Sequence, residues 1–214
     1  MERTRLERGK VARLTRTTFL AVWLLGHAAI GALLAVASLP AALDGAYLLG
    51  AVAGLLQWPI LRRVVGLRAS WLGASLVVGV LLGLPLRIAQ SVAGMALAFE
   101  SLPILSFVPI PVALAVLGAA LGATQARALR PHTGSTRPWV AAQAIGLALA
   151  GPTMFFAAAG VIPLLHPGAT VIQGIGPLVP GAILAGGVGG LAYGAVTGFV
   201  MAGLVRGHLR PDGA

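Results

Sequence analysis

Six apolar blocks, each long enough to cross a bilayer, constrain this chain more than any other feature of its sequence. They run from about 18 to 39, 45 to 61, 70 to 86, 111 to 129, 139 to 162 and 180 to 205. A span needs about 20 residues, because a helix rises 1.5 Å per residue across roughly 30 Å of hydrocarbon. Lipid offers the backbone no hydrogen bonds, so blocks of this kind cross as helices. The chain has 214 residues, and six spans leave room for little else. Composition agrees. Charged residues make up 9% of the chain and hydrophobic residues 58%, whereas a soluble domain carries roughly 25% charged residues.

The basic residues set the orientation. With the N-terminus in the cytoplasm, the inner segments are 1–17, 62–69, 126–138 and 206–214, and they hold every Lys and Arg except Arg87. The outer segments hold Asp44 and Glu100. Positive residues resist translocation, so the clusters belong on the cytoplasmic side. Five or seven spans scatter them over both sides. The sequence therefore predicts an all-α polytopic bundle of six transmembrane helices with both termini cytoplasmic. Its parts are a basic N-terminal segment, 1–17, a membrane domain, 18–205, and a cytoplasmic tail, 206–214. Ala35-Val36-Ala37 before Ser38 resembles a signal-peptide cleavage site. The preceding apolar run exceeds the usual 7–15 residues of such a signal, so the first span is expected to be retained.

The net charge is +10, yet nucleic acid is not an expected partner. The basic clusters are short and lie between apolar blocks, with no extended face to track a phosphate backbone. The chain has no cysteine, which excludes disulfides, thiol catalysis and cysteine-ligated metals.

The even-numbered spans share a pattern. The second reads Gly50-x3-Gly54-x2-Gln57-x3-Leu61-Arg62, the fourth Gly118-x3-Gly122-x2-Gln125-x3-Leu129-Arg130, and the sixth Gly194-x3-Gly198-x2-Met201-x3-Val205-Arg206. Trp71 and Trp139 follow the first two copies at equal distance and open the next spans. The pattern predicts three hairpin repeats, about 18–61, 70–129 and 139–205, as internal repeats of membrane folds go. Gln57-Trp58 and Leu61-Arg62 complete a motif, Gly-x3-Gly-x2-Gln-Trp-x2-Leu-Arg, that resembles a loosely defined group of small bacterial multi-spanning membrane proteins. The second copy has Ala126 in place of the Trp, and the third has Met201 in place of the Gln. The resemblance covers about half the chain; it implies a membrane fold in a bacterial inner membrane and nothing about activity.

Membrane helices associate by close packing at small residues. Gly50, Gly54, Gly118 and Gly122 are expected at such contacts. In the sixth span Ala182, Gly186, Gly190, Gly194, Gly198 and Ala202 recur every four residues along one face, which predicts that span as the tightly packed central helix. Gln57 and Gln125 lie about one turn inside the cytoplasmic boundary. They are read as interhelical hydrogen-bonding groups, with a polar ring at a pore mouth as the alternative. Trp58, Trp71 and Trp139 suit an interfacial aromatic belt.

Two ionisable residues stand apart. His27 lies near mid-membrane, where an ionisable group is a functional hypothesis. It is a candidate ligand for a haem or chlorophyll, with Gly31 one turn away leaving room. The structural alternative is a neutral histidine bonded to a backbone carbonyl or to Tyr193 or Thr197. Arg87 lies near the outer end of the third span, where its long side chain reaches the headgroups. A pair with Glu100 or Asp44 is expected there, with anion or headgroup binding as the alternative. Two long apolar insertions, about 88–110 and 163–179, read as interfacial or re-entrant caps.

No carboxylate pair, His-Glu-x-x-His, nucleophile triad or phosphate loop is present, so no catalysis and no cofactor is expected. Two functions remain. The first is a scaffold or accessory subunit that packs against lipids or other membrane proteins. The second is a channel or uncoupled transporter with Gln57, Gln125, Gln143, Ser75 and Thr197 along its path.

Overall fold

The computed structural model describes residues 14–38, 45–99, 108–165 and 176–209. These contain six α-helices long and apolar enough to cross a membrane, and no strand. They are α1 (Arg16–Ser38), α2 (Gly45–Val65), α3 (Ser70–Phe99), α4 (Pro109–Leu129), α5 (Arg137–Leu165) and α6 (Val179–Leu204). Each apolar block of the sequence yields one helix. The chain is thus a multi-pass membrane protein by the length and composition of its helices.

The helices begin and end for local reasons. Thr15 accepts the Thr18 backbone N–H on its hydroxyl at 3.1 Å and starts α1. Pro109 and Pro111 open α4, where a missing N–H costs nothing. At the end of α2, Gly66 takes a positive φ of 72° and its N–H returns to the Arg62 carbonyl. That left-handed cap favours glycine and turns the chain directly into α3.

One expectation is corrected. The segment from Ile88 was read as the start of a re-entrant cap, yet α3 runs unbroken through Pro85 to Phe99, 30 residues in all. That length is about 45 Å, well beyond the hydrocarbon thickness. A proline removes one backbone hydrogen bond without ending a helix in apolar surroundings, and no other proline follows before Pro103. Similarly, α5 continues to Leu165. Of the two insertions, residues 100–107, with Glu100 among them, and 166–175 lie outside the described residues, as does Asp44, while 109–110 open α4 and Gly176–Leu178 form a 3-10 turn before α6.

Each helix packs against the next in sequence, and α6 returns to pack on α1, so the bundle closes as a ring. The sequence predicted α6 as the central helix; α2 holds that place instead. It touches all five others and is the most buried of the six. The reason lies in the two small faces of α6. A Cβ built at Gly190 would strike the His27 carbonyl of α1, one at Gly194 the His27 ring, and one at Gly198 the Trp23 indole. On the neighbouring face, a Cβ at Gly189 would strike Met154 and Ala150 of α5. The glycines of α6 therefore draw in two flanking helices and hold α6 in the ring wall. The outer faces carry exposed Leu25, Leu33, Leu81, Leu84, Val112 and Phe156, as suits contact with lipid.

Candidate functional site

The helix ends that carry Arg16, Arg62, Arg63, Arg68, Arg127, Arg130, Arg137 and Arg206 meet at one end of the bundle, here termed the basic end. A buried apolar cluster closes it. Trp23, Trp71, Trp139, Leu61, Leu129, Val205 and Met201 are all fully buried in that cluster. The Trp139 ring lies 5.6 Å from Trp71 and 6.4 Å, edge-on, from Trp23. Such tilted and edge contacts suit the aromatic quadrupole. Trp71 and Trp139 are consequently core residues, not members of an interfacial belt. Their helices turn the indoles inward to fill the gap that the glycine contacts leave between helices. Trp58 is half-buried with the Arg62 guanidinium over its ring at 5.1 Å, which fits an interface.

One turn deeper lies a layer of polar side chains. Trp23, Trp71 and Trp139 are each followed four residues later by a polar residue, His27, Ser75 and Gln143, and all three are fully buried. Gln57, Gln125 and Thr197 are fully buried beside them. The layer forms two hydrogen-bonded groups.

The first group joins α1, α2, α5 and α6. The His27 Nδ1 lies 2.6 Å from the Trp23 carbonyl, and its Nε2 lies 3.1 Å from Gln57 Nε2. A carbonyl only accepts, so Nδ1 carries the proton and Nε2 accepts from the Gln57 amide. This histidine is therefore neutral. Gln57 Nε2 also donates to the Tyr193 hydroxyl at 3.4 Å, and that hydroxyl donates to Gln143 Oε1 at 2.6 Å. The Trp23 indole donates to Thr197 Oγ1 at 3.1 Å, and Thr197 donates back to the Tyr193 carbonyl at 2.8 Å. Two amide atoms, Gln57 Oε1 and Gln143 Nε2, are buried without a partner.

The second group joins α3, α4 and α5. Gln125 Nε2 donates to Ser75 Oγ at 2.8 Å, and Ser75 donates to the Trp71 carbonyl at 2.8 Å. The Trp139 indole donates to Gln125 Oε1 at 3.0 Å. Gln125 thus has both ends of its amide engaged across two helix interfaces.

On the far side of this layer a second buried apolar cluster, including Leu49, Ala53, Leu114, Leu117, Leu147 and Met154, fills the bundle. The polar layer is enclosed between the two clusters.

The sequence-derived candidates distribute as follows. Gln57 and Gln125 are interhelical hydrogen-bonding groups inside the bundle. Both ring nitrogens of His27 are engaged within the protein. The room expected at Gly31 is filled by the backbone of Gly186 and Gly190, so a macrocycle has neither a free nitrogen nor a gap there. Gly118 and Gly122 pack against the backbone of Gln143, Ala144 and Val140 in α5, Gly54 against Ser75 of α3, and Gly50 against Leu121 and Leu147. Arg87 stands more than three turns beyond Ser75 on α3, half-buried, and donates to the Ser91 hydroxyl. It belongs to neither group. Sequence reasoning missed the part played by Trp23. The signal was present, because Trp23-x3-His27-x3-Gly31 has the spacing of Trp71-x3-Ser75-x3-Gly79.

Among the described residues there is no Asp or Glu, and no group of three His, Cys, Asp or Glu side chains that would hold a metal ion. No family model, no curated protein and no solved structure matches this chain.

Proposed function

We propose that this protein is a non-enzymatic membrane scaffold or accessory subunit that packs against lipids or other membrane proteins. The observation that carries this reading is the enclosure of the polar layer. Its side chains bond chiefly to one another, and apolar clusters lie on either side, so the interior offers a solute no continuous polar path. The small-residue contacts serve the same end by bringing backbones close. In this reading the basic end is cytoplasmic, as are both termini.

The architecture is best understood as a threefold internal repeat whose unit is an even-numbered helix and the odd one that follows it round the ring. A glycine of each even helix meets the Trp-x3-polar turn of that neighbour. The equivalent glycines of the three copies are Gly54, Gly122 and Gly198, and they meet Ser75, Gln143 and Trp23 respectively. The last pair joins α6 to α1, so the third unit is completed across the chain ends. A fold of this kind needs its first and last helices together before its core is complete.

A second reading has one observation in its favour. Gln57 Oε1 and Gln143 Nε2 are unpartnered beside the Tyr193 hydroxyl, and a buried orphan of this kind costs about 1–3 kcal/mol. A small neutral solute bonding there describes an uncoupled transporter in an occluded state.

Native mass spectrometry of the protein, extracted gently from its own membrane, separates the two. Stoichiometric release of another membrane subunit is the expected result. A bare monomer or homo-oligomer from every extraction condition overturns the accessory-subunit reading.

A further inference from the structure

We propose that the basic end holds a specific site for a phosphate group, and that the phosphate is the headgroup of an anionic lipid. A cavity of about 460 Å³ opens there, lined by Gly66, Arg68, Ser70, Arg127, Pro131 and His132. Its two walls are the turn between α2 and α3 and the end of α4 with the single 3-10 turn Arg130–His132 that follows.

Both walls are fixed from beneath. Leu67 is 2% exposed and Leu129 fully buried, and both belong to the apolar cluster that closes this end. The residues beside these anchors, Arg68 on one wall and Arg127 and Arg130 on the other, are exposed. Gly66 supplies the positive φ that lets the first wall turn so tightly. Two arginines and a histidine are thus presented into one concavity by backbone already held in place. Preorganisation of this kind lowers the ordering cost of binding.

Positive charge is in excess here: segments 1–17, 62–69, 126–138 and 206–214 carry fourteen Lys and Arg against three carboxylates, Glu2, Glu7 and Asp212. Arginine suits phosphate in particular, because its planar fork donates two parallel hydrogen bonds to adjacent oxygens. The Ser70 hydroxyl adds a further donor. The first N–H groups of α3 contribute little. Those of Trp71, Leu72 and Gly73 already donate to the Arg68 and Ala69 carbonyls. The end of α4 is compatible with an anion nearby, since the Ala126 and Leu129 carbonyls accept from the Arg130 N–H and the Thr133 hydroxyl. A lipid is the favoured source because the cavity opens where the apolar helices end, at the depth of a headgroup. A free phosphate would supply the same chemistry.

This inference rests on the membrane-scaffold reading only for the placement of the basic end at a headgroup layer. The test uses the full chain in nanodiscs of phosphatidylcholine doped with phosphatidylglycerol, with retained lipid counted by native mass spectrometry. One phosphatidylglycerol per chain is expected to be retained. The double variant Arg68→Gln/Arg127→Gln is expected to weaken retention about 30-fold, at about 1 kcal/mol per arginine near the surface. The control Arg63→Gln/Arg137→Gln removes the same charge from the same end outside the cavity, and is expected to change retention little.

Equal losses in the two double variants, or no saturable retention, overturn the site. A second arm uses inorganic phosphate in pure phosphatidylcholine nanodiscs. Saturable phosphate binding lost in Arg68→Gln/Arg127→Gln, without lipid retention, keeps the phosphate site but overturns the lipid as its source. The two proposals fail separately. A retained lipid without any co-released subunit keeps the site and removes the accessory role.

Discussion

Trp139→Ala is expected to destabilise the bundle by about 3–5 kcal/mol, the usual cost of truncating a large buried aromatic. Three losses coincide at this position. The ring contacts both Trp71 and Trp23, so its removal opens a cavity between α1, α3 and α5. Its indole N–H is the donor to Gln125 Oε1, which becomes a buried acceptor without a partner. Nothing in lipid replaces the lost packing, because membrane helices gain little from apolar expulsion. Trp139→Phe keeps most of the ring and loses the hydrogen bond, so a cost of about 1–2 kcal/mol is expected. Reversible unfolding in mixed detergent micelles, followed by far-UV circular dichroism, reads both. A cost for Trp139→Ala no larger than that for Trp139→Phe contradicts the assignment of this residue to the core.

Gly190→Leu is expected to prevent α6 from seating on α1. The first added carbon already meets the His27 carbonyl and the Ala28 Cα. These are backbone atoms of a helix and have no rotamer through which to yield. Overpacking in a dense core costs about 1–3 kcal/mol when neighbours shift. Here the neighbour is a whole helix, and its displacement also pulls His27 from Gln57 and Trp23 from Thr197. Loss of the folded monomer on size-exclusion chromatography is the expected outcome. Gly203→Ala provides the contrast within the same helix. Beyond its own turn of helix, nothing lies within 4 Å of a Cβ placed there, and alanine favours a helix over glycine by about 1 kcal/mol. That variant is expected to be as stable as the parent or more so. Equal tolerance at the two positions contradicts the close approach of α1 and α6.

The six helices were legible because their signal is one of length and composition, and lipid leaves the backbone no other choice. The Gly-x3-Gly pairs were legible as contacts for a similar reason, since small residues at that spacing bring backbones together. The central position of α2 was not legible. The glycine ladder of α6 indicates how closely it packs but not how many neighbours surround it. The second small face, at Gly189, engages α5 and keeps α6 in the ring. Trp71 and Trp139 were misplaced because an indole near a helix end suits an interface and a core equally well. Their direction depends on helix rotation, which the closed ring determines. For His27 the sequence offered several partners. The Trp23 carbonyl was among the kinds anticipated, whereas Gln57 was not, because the pairing of α1 with α2 at that depth is a tertiary fact.

The sealed interior is the central claim, and permeability tests it most directly. The full-length protein, reconstituted into liposomes, would be compared with protein-free vesicles by stopped-flow light scattering after osmotic jumps with water alone and with small neutral solutes such as glycerol and urea. Permeabilities equal to those of the protein-free vesicles are expected for every solute. A saturable, protein-dependent flux that is lost in Gln57→Leu, in a variant shown to be folded, would contradict the claim and make the polar layer a path.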